Sequence, residues 1–318
     1  MRAFARFAWI VLGYDVLVVL WGAFVRATGS GAGCGRHWPT CRGEVVPRSP
    51  AAETVIEFLH RATSGIALLL AVALLVWAFR AFPRGHPTRA ASVAALAFML
   101  AEAAVGAGLV LFGLVARDTS AARGWVMAVH HVNTFLLLGS LAVAAFAADR
   151  PVGLDPRGRG AAGGLLVAAL AALLLAGVTG AVAALGDTLF PEVHFAEGLR
   201  LEGEATVLLR LRVLHPFAAV AAGAVALLAA RAAVRARPDP SVSALASTVV
   251  GLVAVQIAAG AVNVILAAPV GLQLVHLALA DGLWIALVLL SAASLAPATR
   301  EKERPGLGPG LAPVAGSR

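Results

Sequence analysis

Charged residues are scarce in this sequence. It has 25 basic and 17 acidic residues among 318, or 13%, about half of the roughly 25% usual in a soluble domain. With 60% hydrophobic residues, a water-soluble fold would expose large apolar patches, so that class is excluded. Disorder is excluded as well, because disordered chains combine low hydrophobicity with high charge.

Cysteine is nearly absent, and basic clusters containing aromatic residues are missing. Cys34 and Cys41 are the only two thiols, which are too few and too local to ligate an iron–sulfur cluster within a helix bundle. No Glu-x-x-His motif repeats in two helices, so a dinuclear carboxylate centre is disfavoured. The net charge of +8 comes almost entirely from Arg in short connections, and this pattern does not indicate nucleic-acid binding.

Long uncharged runs are what the sequence has in abundance. A membrane-spanning helix needs about 20 mostly apolar residues, and several runs reach that length. The longest begins at Ser241, is too long for one helix, and is divided by a turn at Pro269. The chain is therefore predicted to be an all-α integral membrane protein with eight transmembrane helices in contact with the lipid bilayer. The uncharged runs are 62–79, 124–148, 160–186, 213–230 and 241–280, and the runs with one acid are 7–25 and 90–116.

The distribution of Arg predicts the orientation. Basic residues are more numerous in the N-terminus, the even-numbered loops and the C-terminus, so both termini are expected in the cytoplasm. No Arg-rich and Ser-rich transit peptide precedes the first run, which favours the inner membrane of a prokaryotic cell. Residues 299–318 are expected to form a disordered cytoplasmic tail.

The two cysteines lie in the first loop, which this orientation places outside the cell. Disulfides persist in oxidising compartments, so a Cys34–Cys41 bridge is predicted, with two unpaired thiols as the alternative. A zinc site is disfavoured, because His37 is the only other good ligand in the loop.

The two halves of the sequence resemble each other. Four helices per half would give both halves the same orientation, related by a pseudo-two-fold axis along the membrane normal. We therefore predict two pseudo-symmetric four-helix bundles, in residues 1–150 and 151–298. The aligned positions are Gly22 with Gly177, His60 with His215, Glu102 with Gln256, and His130 with His276.

Four histidines occur near the start of the even-numbered helices, in the outer third of the bilayer. Ionisable groups inside a membrane are costly and usually mark function. Two imidazoles on facing helices can ligate a haem iron from both sides, and helix bundles build cofactor sites in this way. The pattern predicts one haem site in each half, with the iron ligands His60, His130, His215 and His276.

The two predicted sites differ in the residue that precedes the histidine by three positions. Glu57 shares a helix face with His60, whereas Arg212 occupies the corresponding position before His215. A carboxylate beside only one site suggests that this site does chemistry while the other relays electrons. A plain interfacial role for Glu57 is the alternative.

At these residues the sequence resembles the haem A synthase family, membrane enzymes that convert haem O into haem A for cytochrome oxidases. The resemblance extends from about Gly13 to Leu295. The motifs that carry it are Gly22 to Gly31, Cys34, Trp38-Pro39, Cys41 and Gly43, Glu57 to Arg61, His130 to Thr134, Ala184 to Pro191, Arg212 to Pro216, Gln273 to Leu277, and Ala280-Asp281.

The resemblance implies specific roles for these residues. His215 and His276 would ligate a haem b cofactor, whereas His60 and His130 would hold the substrate haem O, with Glu57 as the essential carboxylate. The reaction would oxidise a haem methyl group in two steps, through an alcohol and its hydrate, to the formyl group of haem A.

The resemblance also bears on the loop and on partners. Cys34 and Cys41 match a loop disulfide found in a subset of the family. A haem O synthase and an electron-transfer donor are the expected partners. The sequence has no motif for docking an electron-transfer protein. That partner is therefore expected only because the implied reaction is an oxidation.

Three alternatives accompany this interpretation. His131 adjoins His130, and because neighbouring residues are about 100° apart on a helix, only one is expected to face the site; His130 is preferred because it aligns with His276. A non-catalytic bis-His haem b electron-transfer protein is the second alternative. A transporter is the third, but it would need a midplane site and broken helices.

Overall fold

The described part of the protein is built from long helices. A computed structural model describes residues 1–48, 50–149, 160–190 and 206–295, and the predicted tail 299–318 lies outside these ranges. All eight helices are long and apolar enough to span a membrane, which confirms the predicted fold class. The helices are α1 (Arg2–Ala27), α2 (Ala52–Ala81), α3 (Pro87–Leu111), α4 (Ala121–Ala148), α5 (Gly160–Leu189), α6 (Thr206–Ala236), α7 (Pro240–Ile265) and α8 (Val270–Leu295).

Local sequence signals explain several helix boundaries. Both α3 and α7 begin with a proline, whose missing N–H is not needed in the first turn. Asp239 caps α7 by accepting a hydrogen bond from the backbone N–H of Ser241. Hydrogen bonds from the Ser241 side chain and backbone hold the pKa of Asp239 below its usual value.

The two connections at equivalent places in the halves differ in length. The α7–α8 turn consists of residues 266–269 and is tight enough to put Ala267 and Ala268 at positive φ angles of 54° and 53°. The α3–α4 connection, residues 112–120, is more than twice as long. This difference agrees with the aligned pairs, since His60 and His215 are 155 residues apart but His130 and His276 only 146.

The helices pack as two closed groups of four. In each half every helix contacts its neighbours in sequence, and the first helix also contacts the fourth. The halves meet along α1, α4, α5 and α8. Trp284 of α8 donates a hydrogen bond to the carbonyl of Phe135 in α4 and stacks on its ring at 4.9 Å. The central helix α4 is consequently the most buried of the eight.

The loop that contains the two cysteines marks one end of the molecule, here called the disulfide end. Thr54 in the first turn of α2 donates a hydrogen bond to the carbonyl of Gly33, so α2 begins against this loop. All four even-numbered helices start at this end. Their histidines are six to nine residues further on, which places them about 9–14 Å inside the bundle.

Candidate functional site

A large cavity lies between the two groups of helices. Its volume is 1420 Å³ and residues from all eight helices line it, whereas pockets for small ligands usually measure about 300–1,000 Å³. The structure therefore brings together the histidines that the sequence singles out. Five line the wall: His60, His130, His131, His215 and His276.

His215 and His276 face each other across the cavity. Their ring centres are 6.4 Å apart and the ring planes are nearly perpendicular, at 86°. An imidazole nitrogen lies about 2.0–2.1 Å from a bound metal such as zinc, and about 1.2 Å from its own ring centre, so two rings on opposite sides of one metal ion have centres roughly 6–7 Å apart. The observed separation fits this arrangement.

Thr179 lies beside one ring nitrogen of His215. The hydroxyl of Thr179 donates to the carbonyl of Ala176, and its oxygen lies 3.1 Å from Nδ1 of His215. A hydroxyl that donates elsewhere can accept a hydrogen bond from Nδ1–H, an arrangement that leaves the lone pair on Nε2. A histidine that ligates a metal through one nitrogen commonly donates its other N–H in this way.

His276 has a different partner. The side-chain amide of Gln256 lies 3.3 Å from Nε2 of His276. The Nδ1 atom is buried and has no hydrogen-bond partner among the described residues. An amide is neutral and both donates and accepts, so Gln256 can stay beside the ring in either tautomer.

In the other half, His130 lies beside a carboxylate. Its Nδ1 is 3.6 Å from Oε1 of Glu102 in α3. Glu102 is held in place by hydrogen bonds from the amide of Asn133 and the hydroxyl of Thr134, one turn along α4 from the histidine. The charge of Glu102 can thus act directly on the His130 ring. The repeat aligns Glu102 with Gln256, but the sequence does not indicate that either contacts a histidine.

Glycines allow three histidine rings to contact a neighbouring helix closely. A Cβ atom added at any of these glycines would come within 2.8–3.1 Å of the ring. The pairs are Gly22 with His60, Gly180 with His215, and Gly260 with His276.

The repeat in the sequence does not align the glycine beneath His60 with the glycine beneath His215. It aligns Gly22 with Gly177, but the glycine beneath His215 is Gly180, one turn further along α5. Gly177 instead lies beneath His131, where an added Cβ would be 2.4 Å from Nε2.

His131 also reaches the cavity, which differs from the expectation that only one of the adjacent histidines would. His130 turns towards α3, whereas His131 turns towards α5 and packs on Phe135 at 4.3 Å between ring centres. Both histidines line the wall because the cavity extends past both sides of α4, from one group of helices to the other.

Glu57 connects the cavity wall to the loop at the disulfide end. It is 3% exposed, forms an ion pair with Arg61, and accepts a 2.7 Å hydrogen bond from the backbone N–H of Cys34. Arg61 in turn donates to the carbonyls of His37 and Thr40. Glu57 therefore lies at the cavity, as a reacting carboxylate would, and also anchors the loop, as an interfacial residue would.

The predicted disulfide is present. Cys34 and Cys41 are bonded, with an S–S distance of 2.01 Å, so the alternative of unpaired thiols is excluded. Between them, Trp38 and Pro39 line the cavity. The bridged loop therefore forms part of the cavity wall at the disulfide end.

Two acidic residues at membrane depth differ in their access to the site. Asp15 of α1 is 2% exposed and lines the cavity. Asp281 of α8 is fully buried, lies outside the cavity lining, and has no partner for either carboxylate oxygen in the described ranges. Only Asp15 is therefore placed where a ligand could contact it.

A polar network between the halves was not anticipated from the sequence. Arg26 of α1 donates to the Ala184 carbonyl and the Thr188 hydroxyl in α5, and to the Gln273 side chain in α8. Nearby, Arg212 pairs with Asp187 at 3.2 Å. An arginine inside a membrane needs polar partners. The position of Arg26 at the end of an apolar run could therefore have predicted such a network, but not the residues that form it.

Comparison with known proteins gives a family match over most of the chain. The COX15-CtaA family, whose members are described as cytochrome oxidase assembly proteins, matches residues 5–288. This stretch includes all eight helices apart from the first few residues of α1 and the last turns of α8.

Several curated proteins are similar in sequence. A protohaem IX farnesyltransferase of Thermus thermophilus is 50% identical over 293 residues, which is 92% of this chain but 48% of that protein. A haem A synthase of Alkalihalophilus pseudofirmus is 43% identical over 98 residues, 31% of this chain and 33% of that protein. A haem A synthase of Bacillus mycoides is 39% identical over 114 residues, 36% of this chain and 37% of that protein. The chain thus spans about half the length of the Thermus protein.

Proposed function

The chain belongs to the cytochrome oxidase assembly protein family, and we propose that it is a haem A synthase, which oxidises a methyl group of haem O to the formyl group of haem A. The observation that carries this proposal is the cavity shared by five histidines, with His215 and His276 facing each other at 6.4 Å. Two haem A synthases among the similar proteins support the same function.

The C-terminal pair would hold the cofactor. His215 offers Nε2 because Thr179 occupies its Nδ1, and His276 lies opposite beside Gln256. Haem b, when bound there, supplies one-electron transfer chemistry. An electron-transfer partner in the membrane is part of this proposal, since the conversion of a methyl to a formyl group removes four electrons and adds one oxygen atom.

The N-terminal pair would hold the substrate. His60 and His130 would bind the iron of haem O, and the methyl group would pass through an alcohol and then the hydrate of the aldehyde, which loses water to give the formyl group. Glu57 is the proposed proton acceptor. Its Oε1 accepts two hydrogen bonds from Arg61, whereas its Oε2 accepts one from the backbone N–H of Cys34. Since a carboxylate oxygen has two lone pairs, Oε2 retains the capacity to accept a proton.

We propose a prokaryotic cell membrane as the location, with both termini cytoplasmic and the disulfide end outside. We also propose that a separate haem O synthase supplies the substrate. The Thermus protein is named as a farnesyltransferase, but this chain matches about half of it, so the unmatched half can account for farnesyl transfer in that protein.

Pigment analysis tests this proposal. The chain is expressed in a host that makes protohaem but neither haem O nor haem A, with and without a haem O synthase, and the extracted haems are separated by chromatography. Haem A is expected only when both proteins are present. The double replacement of His60 and His130 by Ala should leave haem O unconverted while haem b is retained.

Each other outcome has a defined meaning. Accumulation of haem O alone in the presence of both proteins would contradict haem A synthesis and favour a non-catalytic electron-transfer protein. Formation of haem O by this chain without the synthase would show that the chain itself has farnesyltransferase activity.

A further inference from the structure

Two arginines at the disulfide end of the cavity donate only to neutral oxygens. Arg123, in the first turn of α4, is 3% exposed and donates to the carbonyls of Ala116 and Asp118. Its Nε is buried and has no partner among the described residues. Arg26 donates to a carbonyl, a hydroxyl and an amide oxygen. Both side chains line the cavity.

The other two arginines of the cavity are neutralised. Arg61 pairs with Glu57, and Arg212 pairs with Asp187. In the described part of the chain, no carboxylate lies within ion-pair distance of Arg26 or Arg123. At this end of the cavity, two of the four guanidinium groups are therefore not paired with a carboxylate of the described residues.

Such an excess of buried positive charge needs compensation. A guanidinium group stays protonated in proteins, and an uncompensated buried charge is strongly unfavourable. Arg26 and Arg123 also repel each other, whereas Asp187 attracts Arg26 and Asp118 attracts Arg123, both from beyond ion-pair distance. An anion in the cavity would relieve both effects.

We propose that Arg26 and Arg123 form a carboxylate-binding site that takes the propionate groups of the haem held by His60 and His130. Arg26 is one turn beyond Gly22, which lies beneath His60, and Arg123 is two turns before His130 in α4. Both arginines are therefore about 6–10 Å closer to the disulfide end than the histidines. This inference rests on the proposed function, because it requires a haem in the cavity.

The chemistry of the ligand agrees with this placement. The forked guanidinium group matches a carboxylate in geometry as well as in charge. A haem with its propionates at the disulfide end has its charged edge near the membrane surface and its apolar edge deeper in the bundle. The helices α5 to α8 carry no arginine at the positions that the repeat aligns with Arg26 and Arg123, so these two arginines have no counterparts in the C-terminal half.

Binding of two pigments to the full-length chain tests the site. In a His276→Ala background, which leaves only the N-terminal pair, the haem-free protein is titrated in nanodiscs with iron protoporphyrin IX and, separately, with its dimethyl ester. The unaltered site should bind the acid about tenfold or more tighter than the ester, as charge-assisted hydrogen bonds predict. Arg123→Gln and Arg26→Gln should each reduce that preference to less than about threefold, without changing the affinity for the ester.

Two further variants keep the test interpretable. Arg123→Lys retains the charge and should restore part of the preference, which separates recognition from folding. Arg231→Gln, at an exposed position of α6 outside the cavity lining, should leave both affinities unchanged.

Several outcomes would contradict the proposed carboxylate-binding site. Equal weakening of acid and ester by Arg→Gln would assign the arginines a structural role, and the absence of an acid preference in the unaltered site would exclude carboxylate recognition. A preference that disappears when anionic phosphatidylglycerol replaces phosphatidylcholine would make a lipid phosphate the anion. If neither pigment binds even to the full-length chain with all its histidines, the proposed function itself fails.

Discussion

At the scale of single residues, the histidines of α4 and α8 differ in the charge of their partner. Glu102 lies 3.6 Å from His130, whereas Gln256 lies 3.3 Å from His276. A carboxylate next to a ligating imidazole makes it a stronger donor to the iron, which stabilises the ferric state. The side chains at these two positions should therefore give the two proposed haem sites different reduction potentials.

Exchange of the two partners tests this difference. Glu102→Gln should raise the midpoint potential of the haem at the N-terminal pair, and Gln256→Glu should lower that of haem b. A change on the order of tenfold in the ferric-to-ferrous ratio corresponds to about 59 mV for one electron. Spectroelectrochemical titration of each variant measures it, and each variant serves as the control for the other site. Unchanged potentials in both would mean that Glu102 and Gln256 only position the rings.

Replacement of Glu57 tests its chemical role. Glu57→Gln keeps an oxygen for the Cys34 N–H but removes the proton acceptor, so haem A production should fall by about 10²-fold or more. Haem b content should stay the same. Glu53→Gln, an exposed position one turn earlier, is the matched control. Haem A synthesis by Glu57→Gln at the normal rate would leave Glu57 as a loop anchor alone.

At the scale of helices, the lengths of the uncharged runs are only an approximate guide. The run 213–230 predicts a shorter sixth helix than the observed α6, because Arg210 and Arg212 lie inside the helix and Arg212 is paired with Asp187. The run 90–116 predicts a longer third helix than the observed α3, because Gly113 adopts a φ of 72° just after the helix ends. Charge patterns locate the spans, whereas partners and backbone conformation set their ends.

Gly180 of α5 makes room for the His215 ring of α6. In Gly180→Ala the added Cβ would lie 2.8 Å from the His215 ring, so the ring must move and haem b should be lost. Gly251→Ala in α7 is the control, because its added Cβ would contact nothing and Ala is favoured over Gly in a helix by about 0.5–1 kcal/mol. Haem content per protein, measured as the pyridine haemochrome, should fall at least about threefold in the first variant only. Normal haem content in Gly180→Ala would show that the ring can shift without losing the metal.

At the scale of the whole molecule, the two halves share one cavity. The sequence predicts two separate haem sites, and the structure places all the histidines concerned around a continuous space that Arg26 crosses with hydrogen bonds to α5 and α8. Both proposed haems would therefore lie in one cavity. This arrangement suits electron transfer between a cofactor and a substrate within one protein.

The predicted orientation can be tested with single cysteines. In a Cys34→Ser, Cys41→Ser background, Arg117→Cys lies in the α3–α4 connection and Arg84→Cys in the α2–α3 connection, both at exposed positions. A membrane-impermeant maleimide should label residue 117 in intact cells, but residue 84 only after permeabilisation, because the two connections lie on opposite sides of the membrane. The reverse pattern would place the disulfide end in the cytoplasm.

The number of helices, the spacing of His60, His130, His215 and His276, and the Cys34–Cys41 bridge follow from the sequence alone. They depend on local properties: the length of apolar runs, the helical period and the separation of two cysteines in one loop. The sequence does not predict contacts between side chains that are far apart along the chain. The contact of Glu102 with His130, the orientation of His131 towards α5, and the placement of Gly180 beneath His215 were decided by packing, because which side chains face each other depends on how helices rotate and approach. The sequence also shows that charged residues are few. Only the tertiary structure shows that two of them, Arg26 and Arg123, lie in the cavity without a carboxylate partner among the described residues.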